Sequence, residues 1–219
     1  MSQVVPEPPA TLSLQDRLEE WIYRLNEEDH WIFKLYDWGN ELWARVFFRA
    51  ARRRGELVDE EIEDSEGEGR VRFLGPDDVE AFADFCAALD TRYLPPHPLD
   101  RASAARALAR SSYVPLGIFW RDELVGYVLV RFFFLRRAVN GIWMLPLSHG
   151  KSFGKHSFWV SCRYLHDLGL PAYCTIPLGN TPSIHTAWWS AYEIVRTNHH
   201  FHVLKMNPRL FGERFCGDA

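Results

Sequence analysis

Between Leu145 and Phe158 the chain reads "LPLSHGKSFGKHSF". Gly150, Gly154, Lys151, Lys155, His149 and Ser152 stand there, directly ahead of a helical pattern. A helix start presents backbone N–H groups with no acceptor inside the helix, together with the positive end of the macrodipole. Glycines that let an anion approach and lysines that add charge turn such a start into a phosphate-holding element. A nucleotide P-loop needs four residues between its glycines and a Ser or Thr after the lysine. Here Gly150 and Gly154 enclose Lys151, Ser152 and Phe153, and His156 follows Lys155, so that reading is excluded. Two readings remain: a strand-to-helix turn with incidental lysines, and a site for a phosphate-bearing ligand.

Other residues with chemical potential lie elsewhere. His185 falls one turn into the helical pattern that starts at Pro182, and a histidine needs little tuning to take a proton near neutral pH. His97 is a second candidate base. His200 and His202 share a strand face beside His199, but no third ligand stands at a telling spacing, so no metal is expected. Cys174, in an apolar run, reads as a small core residue. Trp188 and Trp189 either line a pocket or fill the core.

Three zones must position these groups. Residues 1–12 are Pro-rich and expected to be disordered. Residues 13–55 form a helical extension, with Leu14, Leu18, Trp21, Ile22 and Leu25 at three- and four-residue spacing. A second helical stretch runs from about Asp29 to Arg54, with Gly39-Asn40 as a possible break and Arg52–Arg54 before Gly55 as its end. Its apolar face is too wide for a solvated helix and is expected to pack on the next unit or on a second copy of the chain. Residues 56–68, "ELVDEEIEDSEGE", read as an acidic linker. From 69 to 219 strands and helices alternate. Strand 70–74 precedes a helix from Gly75 to Ala88 and another over 100–110. Two strands flank a turn at Arg121-Asp122, and Ala138–Gly141, with its Asn-Gly pair, is read as a further hairpin turn into "IWMLPL". A helix over 155–168 stops at Gly169, followed by a strand at 172–178, a helix capped by Thr181, and a last strand near 199–206.

The composition bounds the function. Hydrophobic residues make up 47% and aromatics 15% of 219 residues, enough for a packed core. A net charge of −4 argues against bulk nucleic-acid binding. No apolar run suits a membrane span, no secretory leader is visible, and four scattered cysteines suit reduced thiols in the cytoplasm.

The order of elements over roughly 70–195 resembles the GNAT-type acyl-CoA N-acyltransferase superfamily. The residues that carry the resemblance are Met144-Leu145-Pro146, then His149-Gly150-Lys151-Ser152-Phe153-Gly154, "ELVGYVLV" with Gly126, and "GNTPSIHTAWWSAYE". His149 stands where the family prefers Arg or Gln, and Ser152 where it prefers Gly. The resemblance implies an α+β fold, a mixed, mostly antiparallel sheet with flanking helices, over residues 69–219. It implies acetyl-CoA or another acyl-CoA as co-substrate and direct attack by an amine within a ternary complex. By the same resemblance the backbone of Met144 and Leu145 would hold the pantetheine and face the thioester carbonyl. Amides from Gly150 to Lys155 would take the diphosphate, Asn180 would hold the pantetheine or its water, and Tyr192 on the helix would be the general acid. Asp167 is the only carboxylate between Asn140 and Leu178, which leaves His185 as first choice for the base. The competing expectation is a catalytically silent module of the same fold that binds a partner, or itself, through its aromatic N-terminal helices.

Overall fold

The computed structural model of the chain describes residues 31–64, 67–89, 100–134, 137–145 and 153–217. The expectations for residues 1–30, for His97 and for residues 146–152 lie outside these segments.

An eight-stranded sheet carries the fold, in the order β1-β2-β3-β4-β5-β6-β8-β7. Its strands are β1 Asp59–Asp64, β2 Gly67–Phe73, β3 Tyr113–Trp120, β4 Glu123–Phe133, β5 Arg137–Met144, β6 Ala172–Pro177, β7 Tyr192–Thr197 and β8 Phe201–Met206. Neighbours are antiparallel except β5 and β6. Seven α-helices accompany it among the described residues: α1 Trp31–Phe47, α2 Arg49–Gly55, α3 Val79–Ala88, α4 Arg101–Leu108, α5 Phe153–Asp167, α6 Thr181–Trp189 and α7 Pro208–Phe215. One core lies under α1, α2, α5, α6 and α7 and is built around Phe48, Phe132, Phe153, Leu165, Ile184 and Phe211. The opposite face packs α3 and α4 through Phe82, Phe85, Leu108 and Tyr127. No described helix is long and apolar enough to cross a membrane.

Two expected boundaries are corrected. The acidic stretch is not a linker: Asp59–Asp64 form the edge strand β1, paired with β2. Alternation resolves the charge problem, because Ile62 turns inward at 6% exposure while Asp59 pairs with Arg70 and Glu60 with Arg163. Opposed charges across a ladder support a strand that a run of acids alone would not. Nor are the described helices of the N-terminal extension a separate unit. Phe48 stacks on Phe132 at 4.5 Å, the Tyr164 hydroxyl donates to the Ala51 carbonyl at 2.7 Å, and Arg52 donates to the carbonyls of Leu108, Arg110 and Tyr113.

The helix break also moves. Gly39 and Asn40 stay helical, and the chain bends at Phe48 instead. Asn40 is fully buried because its amide serves the end of β4, donating to the Phe132 carbonyl at 2.9 Å and accepting from the Phe134 amide at 3.1 Å. Asp37 on the same face bridges Arg110 and Arg131. The turn at Arg121-Asp122 is as expected, both residues having positive φ, 52° and 65°. The Asn140-Gly141 turn is not: both residues lie inside β5, paired with Val130 and Leu129.

Glu41 accepts from the Ser111 amide and from the amide and hydroxyl of Ser112, 3.1 and 2.7 Å away. Burial alone would raise its pKa, but these hydrogen bonds outweigh it and hold the carboxyl below the ordinary glutamate value of 4.5. A depressed folded-state pKa contributes stability that is complete above the unfolded value and lost as pH falls through the folded one. Glu41→Gln is therefore expected to cost about 1–2 kcal/mol at neutral pH, with the gap to the parent protein narrowing as pH falls below the ordinary glutamate value of 4.5. Denaturant unfolding at pH 7 and pH 3.5 measures this, and an equal gap at both would refute the assignment.

Candidate functional site

β5 and β6 share only two aligned positions, Ala138 with Ala172 and Val139 with Tyr173. β6 pairs with β8 along its other edge, from Tyr173 to Pro177, while past Val139 β5 runs on to Met144 with β4 as its one ladder partner among the described residues. The two parallel strands therefore part into a wedge that opens at their C-terminal ends. Backbone groups alternate along a strand. The Leu145 amide donates to Val125 on β4 at 2.9 Å, whereas the Ala138 amide donates toward β6, to Pro171, at 3.0 Å. The backbone groups of Asn140, Ile142 and Met144 accordingly face the wedge.

This placement splits the pair expected to hold a thioester arm. Met144 presents its amide to the gap, but the Leu145 amide is already committed to the sheet. The reason is the unbroken β4–β5 register, which continues from Gly126–Met144 to Val125 and Leu145 and so turns the Leu145 amide to β4. Gly126 is required beside Val125, since a Cβ there would lie 2.9 Å from the Trp143 carbonyl.

The first turn of α5 stands at the mouth of the wedge. Gly154 packs against the end of β5 so closely that a Cβ would come within 2.6 Å of the Met144 sulfur. The amides of Phe153, Gly154 and Lys155 open the helix and have no acceptor within it. The Phe153 ring is fully buried, so this residue can offer only its amide to a ligand. Lys155 is exposed, its Nζ 4.0 Å from the centre of the Trp189 ring on α6. His156 also meets Trp189, at 6.0 Å and edge-on. Its Nδ1 is buried and has no hydrogen-bond partner among the described residues. His149, Gly150, Lys151 and Ser152 lie outside the described residues. Spacing pointed to Lys155 and Gly154, but nothing in it announced the Lys155–Trp189 or His156–Trp189 contacts, which need α5 and α6 packed side by side.

Tyr192 requires a correction. It opens β7 instead of ending a helix, and it is 1% exposed. Its hydroxyl donates to Asn140 Oδ1 at 2.6 Å, and Asn140 Nδ2 donates to Ser161 Oγ at 2.9 Å and approaches Cys162 Sγ at 3.6 Å. Burial pushes the phenol well above its usual pKa range and the Cys162 thiol up to about 12. An enclosed, weakly acidic hydroxyl that already donates to an amide is poorly suited to protonate a thiolate in the wedge. The network instead ties β7, β5 and α5 together beside the residue where β5 and β6 separate. Ala191, at φ 62°, supplies the left-handed turn into β7, and β7 and β8 pair as an antiparallel hairpin.

Asn180 also has a structural task. Its side chain accepts from the Ser183 amide at 3.3 Å and caps α6, one residue ahead of the expected cap Thr181. His185 is exposed on α6 and meets the Trp188 ring edge-on at 5.5 Å. His202 is buried with Nδ1 2.8 Å from Thr197 Oγ1, and His199 and His200 are exposed. Cys174 is buried. Asn140, read from the sequence as a turn residue, is the polar group that organises this part of the core.

No protein-family model and no curated protein sequence matches the chain. Solved structures do. The GNAT domain of S. lividans PAT superposes with a TM-score of 0.60 at 14% identity, over 68% of this chain and 96% of that one. The ribosomal-protein-S5-alanine acetyltransferase from Vibrio fischeri gives 0.56 at 12% identity, over 68% and 94%. The PaiA N-acetyltransferase from Thermoplasma acidophilum, solved in complex with coenzyme A, gives 0.53 at 13% identity, over 64% and 98%.

Proposed function

Because the chain carries the fold of the GNAT acetyltransferases, we propose that it is an acyl-CoA-dependent N-acyltransferase. The observation that carries this reading is the parting of β5 and β6 after two paired residues, directly in front of the α5 N-terminus. The wedge suits an extended thioester arm, with the backbone of Met144 available to it. The amides of Phe153, Gly154 and Lys155, reinforced by the Lys155 charge, suit a diphosphate. The residues from His149 to Ser152 belong to the same proposed cradle. Asn180 acts through the α6 cap, placing Trp189 beside Lys155, and His185 is the candidate base on that helix. An acyl-CoA bound there supplies the activated carbonyl. The chain's task is to orient it toward an amine, exclude water and remove the ammonium proton. One structure of similar fold is a ribosomal-protein-S5-alanine acetyltransferase, so a protein amino group is the acceptor class to test first.

Calorimetric titration of acetyl-CoA is expected to show saturable one-to-one binding, weakened at least about tenfold by Lys155→Glu, which sets a like charge against the diphosphate. No heat at millimolar acetyl-CoA would remove the proposal. The silent-module reading has its own support in the Tyr192 hydroxyl, which is enclosed and bonded to Asn140. Binding of acetyl-CoA without thiol release across a panel of amines would favour that reading.

A further inference from the structure

Helix α1 has two unlike faces. Asn40, Ala44 and Phe48, just past its end, turn toward the sheet and are buried. On the other side Leu35, Trp38, Leu42, Val46 and Phe47 are 51–66% exposed, and Trp31, Ile32 and Tyr36 extend the stripe at 39–65%. From the usual areas of such side chains this is on the order of 800 Å² of apolar surface, beyond the patch a monomer ordinarily shows and close to one partner's share of a stable interface.

We propose that this face is the contact between two copies of the chain, with α1 packed antiparallel against α1 of its partner across a two-fold axis. Three observations select a second copy. The exposed residues Leu35, Trp38, Leu42 and Val46 recur at steps of three and four, the spacing with which one helix seats on another. The stripe complements itself: a two-fold axis passing between Trp38 and Gly39, at the middle of Trp31–Phe47, sets Leu35 opposite Leu42 in both directions, as an isologous contact demands. Gly39 has no side chain to hold the two backbones apart. Finally, α1 is electrically balanced, with Lys34 and Arg45 against Asp37 and Glu41. Arg45 lies 3.7 Å from Glu41, and Asp37 pairs with Arg110 and Arg131. An anionic lipid surface would select a helix rich in cations, which α1 is not.

Sedimentation velocity on the full chain tests this. A dimer is expected across the micromolar range, and the double variant Leu35→Lys with Leu42→Lys is expected to raise the dissociation constant at least about 100-fold while circular dichroism stays that of the parent. Both sites are exposed, so a folded variant is the expected product. A wild-type monomer at about 100 μM would overturn the proposal and point to residues 1–30 as the cover. A double variant that remains dimeric would overturn it by placing the interface elsewhere. Wild-type protein that co-sediments with vesicles of phosphatidylserine and phosphatidylcholine, lost in the double variant, would overturn it in favour of a lipid surface.

Discussion

Replacing Phe48 with alanine will destabilise the whole domain by about 3–5 kcal/mol, the cost of emptying an aromatic site in a packed core. Phe48 is 3% exposed and lies parallel to Phe132 of β4, the rings 4° apart in tilt. The consequence goes beyond one cavity. A detachable N-terminal helical unit would lose its own order and leave the sheet intact. Here Phe48, Asn40, Ala51 and Arg52 all bind to β3, β4, α5 or the chain between α4 and β3. The unfolding transition should therefore shift as one. Leu57→Ala is the matched control: at 81% exposure it should stay within about 0.5 kcal/mol of the parent. Denaturant unfolding followed by tryptophan fluorescence and by circular dichroism distinguishes the outcomes. A Phe48→Ala loss below 1 kcal/mol, or two separated transitions, would show that the N-terminal helices are an appendage after all.

The second large effect is expected at Asn140. Asn140→Ala removes the acceptor for the Tyr192 hydroxyl and the donor to Ser161 and Cys162 in one step. Stranding buried polar groups and opening a small cavity together should cost about 3 kcal/mol. Tyr192→Phe removes only one hydroxyl and should cost about 1–2 kcal/mol. The double variant should lose less than the sum, because the two residues share a hydrogen bond. The functional half of the prediction is sharper. If Tyr192 is a core tie and not a general acid, Tyr192→Phe leaves acetyl-CoA affinity and any turnover per folded molecule within about twofold of the parent. A hundredfold fall in turnover with unchanged stability would restore the phenol as a proton donor, since removing a general acid typically costs about 10²–10⁴-fold.

Local chemistry made much of this fold legible in the sequence. The Arg121-Asp122 hairpin, the helix around Ala83, the Gly169 stop and the strand through Cys174 were all readable from periodicity and turn residues. So was the GNAT-like order of strands and helices, and with it the helix start around Gly154-Lys155. These features depend on neighbours within a few positions, and a sequence displays such neighbours directly.

Other features depended on partners far along the chain. Asn140-Gly141 has the composition of a turn, yet Asn140 became a buried strand residue because Tyr192, 52 positions away, and Ser161 satisfy its amide. The acidic run 56–68 looked too repulsive to pair until Arg70 and Arg163 met it across the fold. The burial of Tyr192 and the bond of its hydroxyl to Asn140 are visible only in the tertiary structure. The Leu145 amide, chemically identical to that of Met144, was lost to the site because the β4–β5 register turns alternate amides toward β4, where the Val125 carbonyl takes it. The sequence determined which residues could form a phosphate-binding helix start and a strand beside it. Only the tertiary structure decided which polar groups stayed available to a ligand, because that depends on which of them the rest of the chain had already bonded.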